Sequence, residues 1–266
     1  MREISCETVT AAIERLCIKA ATVLPPSLAI LLECAFESEE SQDGVSALED
    51  IIENFKSAAL KKQPICKDTD MVVIFADVGQ DIRITEGSFE DAVNDGAKRG
   101  MASLYGNSNI SIVVHTRLIS GDKAEFHVVP RCFRSETMSA MEVFMPDDSA
   151  GMIEEFIIDT VSKAGSNACP PIVVGIGLGG TVEQCAIIAK RALFRSPDTR
   201  NSDEYYAKME KRVLDRINRL GIGPKGVGGR YTAVAVNIET YPLRTAGIPC
   251  VINLGCHATQ HAQVIL

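Results

Sequence analysis

The 266-residue chain reads as a mixed α/β protein, with a helical N-terminal region packed on a mixed-sheet α/β core. Apolar residues recur at helix spacing through residue 62, then shift from Pro64 to short buried runs and alternating patterns. From there helix-like and strand-like segments intersperse to the C-terminus, the order expected of mixed sheets with helices packed on them. The composition agrees: 46% hydrophobic and 23% charged residues are globular values, which excludes disordered and low-complexity classes.

In the first 62 residues, Ile13, Leu16, Cys17 and Ala20 share one helix face, and Pro25-Pro26 breaks the chain. Leu28, Leu31, Leu32 and Ala35 form a second stripe. After Ser41-Gln42-Asp43-Gly44, a third runs through Leu48, Ile51, Ile52, Phe55 and Ala59. Met71 to Val78 is strand-like and Phe89 to Tyr105 helical. Ile110 to Ile119 and Glu125 to Val129 are strands, separated by the hairpin-like Ser120-Gly121-Asp122-Lys123. Met152 to Ala164 is a helix and Pro171 to Gly175 a short buried strand. Helices follow at Thr181 to Phe194 and Asp203 to Leu220, then strands at Thr232 to Glu239 and Cys250 to Leu254. With no repeat and no linker, residues 1–266 are expected to form one catalytic domain, helical over 1–63 and α/β over 64–266.

A net charge of −8 without a Lys/Arg block argues against nucleic-acid binding, which depends on neutralised phosphates. No run approaches the ~20 apolar residues of a membrane span, and residues 1–5 lead into polar sequence rather than a signal peptide. The expectation is a cytoplasmic protein, with no membrane partner.

Nine cysteines in such a chain are packing residues, redox thiols or metal ligands rather than a disulfide framework. Cys6, Cys17 and Cys34 fall within helical stripes and Cys185 on a later helix, all read as small core residues; Cys132 and Cys250 lean the same way. Cys66, Cys169 and Cys256 sit differently, at strand ends beside Pro or Gly. No CxxC spacing is present, which argues against a local structural zinc site. Three thiolates have a particular meaning: a [4Fe–4S] cluster normally takes four, and with three one iron keeps an open coordination position. Such an iron can act as a Lewis acid on a substrate hydroxyl and carboxylate.

The segments Pro64-Ile65-Cys66-Lys67-Asp68-Thr69, His115-Thr116, Ser120-Gly121-Asp122-Lys123 and Ala168-Cys169-Pro170-Pro171 resemble the iron–sulfur class I fumarate hydratases and L-tartrate dehydratases. So do Gly175-Ile176-Gly177-Leu178-Gly179-Gly180-Thr181, Asn218 to Pro224 and Gly255-Cys256-His257-Ala258, all in family order. The chain is similar to the α subunit of the two-subunit form. That resemblance implies an α subunit of a hydro-lyase that reversibly dehydrates a small 2-hydroxy dicarboxylate. It further implies a cluster held by Cys66, Cys169 and Cys256 with one open iron, Asp68 at the substrate, and a β-type subunit that completes the active site, in an α2β2 assembly.

Several family positions differ. Asp68 follows Lys67 rather than Gln and precedes Thr69-Asp70 rather than Thr-Gly; the stretch that carries a substrate-binding arginine reads Tyr105-Gly106-Asn107. Cys132-Phe133-Arg134 replaces a triple glycine, and Arg244 stands where the family has histidine. Dicarboxylates need fixed cations, so Lys67, Arg134 and Arg244 are the candidate substrate-binding residues of a rearranged site.

Two other readings follow from the sequence. A silent or sensing iron–sulfur paralogue would explain the departures. Gly175, Gly177 and Gly180 also satisfy GxGxxG, but no strand ends at an acidic residue about 20 positions later, as a dinucleotide site requires. These glycines are better read as close backbone approach to the cluster region, and Lys190, Arg191 and Arg195 as a solvated helix face. Gly221 to Gly226 lacks the ending of a phosphate-binding loop. None of the four histidines is assigned a catalytic role.

Overall fold

The computed structural model describes residues 1–106, 110–145, 147–242 and 247–266. In chain order the elements begin with β1 (Arg2–Ser5), α1 (Cys6–Thr22), α2 (Pro26–Ser38), α3 (Gln42–Lys61), β2 (Met71–Gly79), β3 (Ile82–Thr85) and α4 (Phe89–Tyr105). They continue with β4 (Ser111–Ile119), β5 (Ala124–Arg131), α5 (Phe133–Glu136), β6 (Ala140–Phe144), α6 (Ala150–Ala164) and β7 (Ile172–Leu178). The last are α7 (Val182–Ala192), α8 (Glu204–Asn218), β8 (Ala233–Thr240), β9 (Ile248–Gly255) and β10 (Ala262–Ile265). The mixed α/β class is as the periodicity requires. The chain divides into two compact units, Met1–Pro25 with Asn54–Phe133 and Gln260–Leu266, and Pro26–Glu53 with Arg134–Thr259.

The first unit is a four-stranded sheet in the order β10-β5-β2-β4, with α1 and α4 packed on one face. Val72, Ile74 and Ala76 of β2 point to that face, as residues two apart must, and meet Val9, Ile13 and Cys17 of α1 and Val93, Ala97 and Met101 of α4. The helices approach closely because α4 carries Gly96 and Gly100: a Cβ there would fall 2.5 Å from the Thr10 carbonyl and 2.7 Å from Cys17. Thr10 donates its hydroxyl to the Ala92 carbonyl across this contact.

Two features of the first unit differ from the expectation. β4 and β5 do not form a hairpin, because β2 lies between them, parallel to β4 and antiparallel to β5. The physical reason is burial: every residue of β2 except Val78 is buried, so β2 takes the central place. The Ser120–Lys123 segment crosses over the exit of β2, where Gly79 donates to the Lys123 carbonyl and Asp81 to that of Gly121. The strands β1 and β3, which pair in parallel, and β10 went unrecognised; each is only four residues long, too short for a period to show.

The second unit is also a four-stranded sheet, β6-β9-β7-β8, but it is covered on both faces. Ile172, Val174, Ile176 and Leu178 of β7 pack with Ile157 and Val161 of α6 and Met209, Val213 and Ile217 of α8. The alternate residues, Gly175 and Gly177, lie under α7. A Cβ would fall 2.3 Å from the Ala189 carbonyl at Gly175 and 2.2 Å from the Cys185 carbonyl at Gly177. Two of the three fingerprint glycines therefore let a helix backbone rest on the strand, rather than opening space beside the cysteines. Gly177→Ala must separate α7 from β7, and we expect it to cost about 1–3 kcal/mol, read as a lowered midpoint in urea unfolding.

The cations in the last turn of α7 and just beyond it are not a solvated face. Lys190 pairs with Glu136 at 2.6 Å, and Arg195 lies largely buried against Glu210 of α8, with Glu239 at 3.0 Å and Asn237 at 3.2 Å. Among the cysteines, Cys17, Cys185 and Cys250 are core residues as expected, whereas Cys34 is exposed and Cys6 half-buried. The stretch Cys6–Ser38 is long and apolar enough to cross a membrane by composition, which corrects the expectation that no run comes near. It is two helices parted before Pro26, and half of its most apolar window is buried within the protein.

Candidate active site

Cys66 belongs to the first unit, in the segment between α3 and β2. This segment has no regular structure, so side-chain and main-chain bonds hold it. The Ile65 N–H donates to the Ala21 carbonyl at the end of α1, and the Asn54 amide to that of Ile65. The Cys66 carbonyl accepts from the Tyr105 hydroxyl at 3.1 Å and the Thr69 hydroxyl at 3.2 Å. Burial raises the Tyr105 pKa, which keeps the phenol a donor. Asp70 fastens the exit: its N–H donates to the Arg131 carbonyl, and its carboxylate accepts from the Phe133 N–H at 2.7 Å. Lys67 and Asp68, between these anchors, are exposed.

Cys169 and Cys256 belong to the second unit and lie at the same end of its sheet, one before β7 and the other after β9, which runs antiparallel to it. Cys169 has a left-handed backbone, φ 53° and ψ 63°, and donates its N–H to the Ser166 carbonyl. The next residue, Pro170, accepts from the Lys225 N–H at 2.9 Å, which ties the segment to the glycine-rich loop 221–230. Cys256 sits in a tight turn: the Thr259 N–H at 2.9 Å and its hydroxyl at 2.6 Å both bond the Cys256 carbonyl. Gly255 is required there, since a Cβ would fall 2.3 Å from the Thr259 hydroxyl. His257 joins the two segments through two bonds to the Cys169 carbonyl, from its N–H at 3.1 Å and from its ring Nδ1 at 2.9 Å.

The loop 221–230 is fixed from its far side by Glu39, a residue the sequence reading did not single out. Its buried carboxylate accepts from the N–H groups of Glu40, Ser41, Arg230 and Tyr231 at 2.9 to 3.2 Å. Burial works to raise its pKa, but the four N–H donors outweigh burial and hold it below the ordinary glutamate value. A carboxyl depressed in the folded state stabilises above its unfolded pKa, and that stability is lost as pH falls through the folded pKa. We therefore expect Glu39→Gln to flatten the acid limb of a stability-against-pH curve below about pH 4.5. The only signal in the sequence was an acidic residue at the end of a helix.

Cys66, Cys169 and Cys256 are each half-buried at a loop beside a strand. The core thiols contrast with them: burial pushes Cys17 up to about 12 and Cys185 to about 11, and raises Cys250 further, so these stay protonated and inert. Soft thiolates at partly open positions suit iron–sulfur ligation, whereas the buried thiols do not. Among the described residues no three His, Cys, Asp or Glu side chains form a metal-holding group. Arg134 is exposed on α5, and Arg244 and Asn107 lie outside the described residues.

An α/β chain with thiols set at the ends of its strands is the class these features define. The chain belongs to the fumarate hydratase (Fumerase) family, whose model matches residues 10–265. It is 33% identical, over 92% of each chain, to a Methanocaldococcus jannaschii protein provisionally named L(+)-tartrate dehydratase subunit alpha. It is also 25% identical to the L(+)-tartrate dehydratase subunit alpha of Escherichia coli O157:H7, over 92% of this chain and 86% of that one. The corresponding Shigella boydii subunit is 24% identical over the same shares.

Proposed function

We propose that this chain is the cluster-bearing α subunit of a cytoplasmic hydro-lyase that reversibly removes water from a small 2-hydroxy dicarboxylate. Cys66, Cys169 and Cys256 are the three ligands of a [4Fe–4S] cluster in this reading. The single observation that carries it is that a chain matching the fumarate hydratase family over residues 10–265 sets these three thiols half-buried at anchored loops beside its strands. When bound, the cluster supplies a Lewis-acidic iron with one open position, which polarises the substrate hydroxyl.

The chain's own groups do the rest. Dehydration takes a proton from one carbon and hydroxide from its neighbour, and the exposed carboxylate of Asp68, two residues from Cys66, orients the hydroxyl or carries the proton. Lys67, Arg134 and Arg244 supply cations for the substrate carboxylates. In this reading a β-type subunit completes the site in an α2β2 assembly; the relatives' name, subunit alpha, supports a partner subunit.

The test is anaerobic co-expression with a β-type subunit, iron quantification, and a turnover screen with L(+)-tartrate and fumarate. Iron near four per α chain with turnover of a dicarboxylate is the expected result. Iron-free chains after cluster reconstitution would overturn the proposal. Full iron without turnover on any hydroxy dicarboxylate would favour the second reading, a cluster-bearing paralogue without catalysis, to which the departures at Lys67 and Arg134 point.

A further inference from the structure

We infer that His257 is a positioning residue that pins the Cys169 and Cys256 thiols in one fixed relation before any cluster arrives; this rests on the reading of both as ligands. The Cys169 carbonyl oxygen has two lone pairs, and His257 bonds it twice, through its own N–H at 3.1 Å and its ring at 2.9 Å. A carbonyl can only accept, so Nδ1 carries the hydrogen and the ring tautomer is set.

The staple joins two segments 88 residues apart, and each is already anchored on its other side. Cys256 is held by the paired bonds from Thr259, and the Cys169 segment by the Ser166 carbonyl and the Lys225 N–H. With both flanks fixed, the ring bond removes the remaining freedom between the two turns. Removing a side chain that orients a ligand without touching the metal typically costs about 10–100-fold in metal affinity. Pre-organisation of this kind raises the effective concentration of one thiolate at the other.

The experiment uses the full-length chain, reduced and metal-free, with dibromobimane, which fluoresces only when both of its arms have alkylated thiols. The bridged peptides are mapped by mass spectrometry. The wild type is expected to give a Cys169–Cys256 bridge. His257→Asn, whose amide nitrogen lies where Nδ1 does, should keep that rate. His257→Gln and His257→Ala should slow it on the order of ten-fold, with unchanged circular dichroism. Bridging by His257→Ala at the wild-type rate, or a wild type that never bridges these two thiols, would overturn the inference. If His257→Ala does not fold, the Asn and Gln pair decides it: equal rates overturn it. Reconstitution with iron and sulfide separates the two levels, because a wild type that bridges but takes up no iron sinks the proposed function and leaves the staple standing.

Discussion

Under the proposed ligation, replacing Cys169 or Cys256 by serine is expected to remove bound iron and lower turnover by at least about 10³-fold, while leaving the fold in place. A Lewis-acidic iron contributes several kcal/mol of transition-state stabilisation, and each 1.4 kcal/mol is roughly ten-fold in rate. The fold should survive because both side chains are half-buried at strand ends and belong to neither core cluster. Cys250→Ser should show the opposite pattern: it places a hydroxyl among Ile252, Leu254 and the helices above them, so stability falls while iron stoichiometry in the folded fraction stays normal. Cys34→Ser, on the surface, should change neither. Iron assay and thermal melting on the same preparations check all four. Loss of iron from Cys34→Ser, or its retention in Cys169→Ser, would reassign the ligands.

Glu210→Ala is the substitution we expect to damage the second unit most, by about 3–5 kcal/mol, because it breaks a buried charge pair from one side. The Glu210 carboxylate receives the Arg195 guanidinium, the Ile238 N–H at 2.8 Å and the Asn201 N–H at 3.3 Å, so one side chain links α8, β8 and the segment after α7. Removing it leaves Arg195 with its remaining bonds to Glu239, Asn237 and the Ile238 carbonyl, and the Ile238 N–H without its acceptor. At about 2–4 °C per kcal/mol for a domain of this size, the melting temperature should fall by roughly 6–20 °C. Glu210→Gln keeps an acceptor for Ile238 and should cost less. Pairing Glu210→Leu with Arg195→Met should recover much of the loss, since apolar replacement of both partners removes the buried charges together. A double variant no more stable than Glu210→Ala would show that the network's hydrogen bonds, rather than its charges, matter.

Much of the architecture was legible in the residues. Stripes such as Leu48-Ile51-Ile52-Phe55 and the buried run of β2 are long enough to declare a period, and Pro25-Pro26 marks its own break. The three candidate cysteines were likewise set apart by their neighbours, because Pro and Gly mark where regular structure stops.

The strand order was not legible, because pairing across β2 depends on which strand loses most by being exposed. Nor was the role of Gly175 and Gly177, whose missing side chains have meaning only once α7 lies above them.

What the sequence by itself determined is the longer helices and strands, their boundaries to within a few residues, and the residue types able to ligate iron. These are local, since propensity, periodicity and side-chain chemistry act over a turn or two of chain. What only the tertiary structure decided is which groups are partnered and which are sealed. Arg195 meets Glu210, Glu39 gathers N–H groups from residues 40 and 231, and His257 reaches Cys169. Each of these depends on bringing distant chain together, and the free energy of a polar group depends on what surrounds it once water is gone.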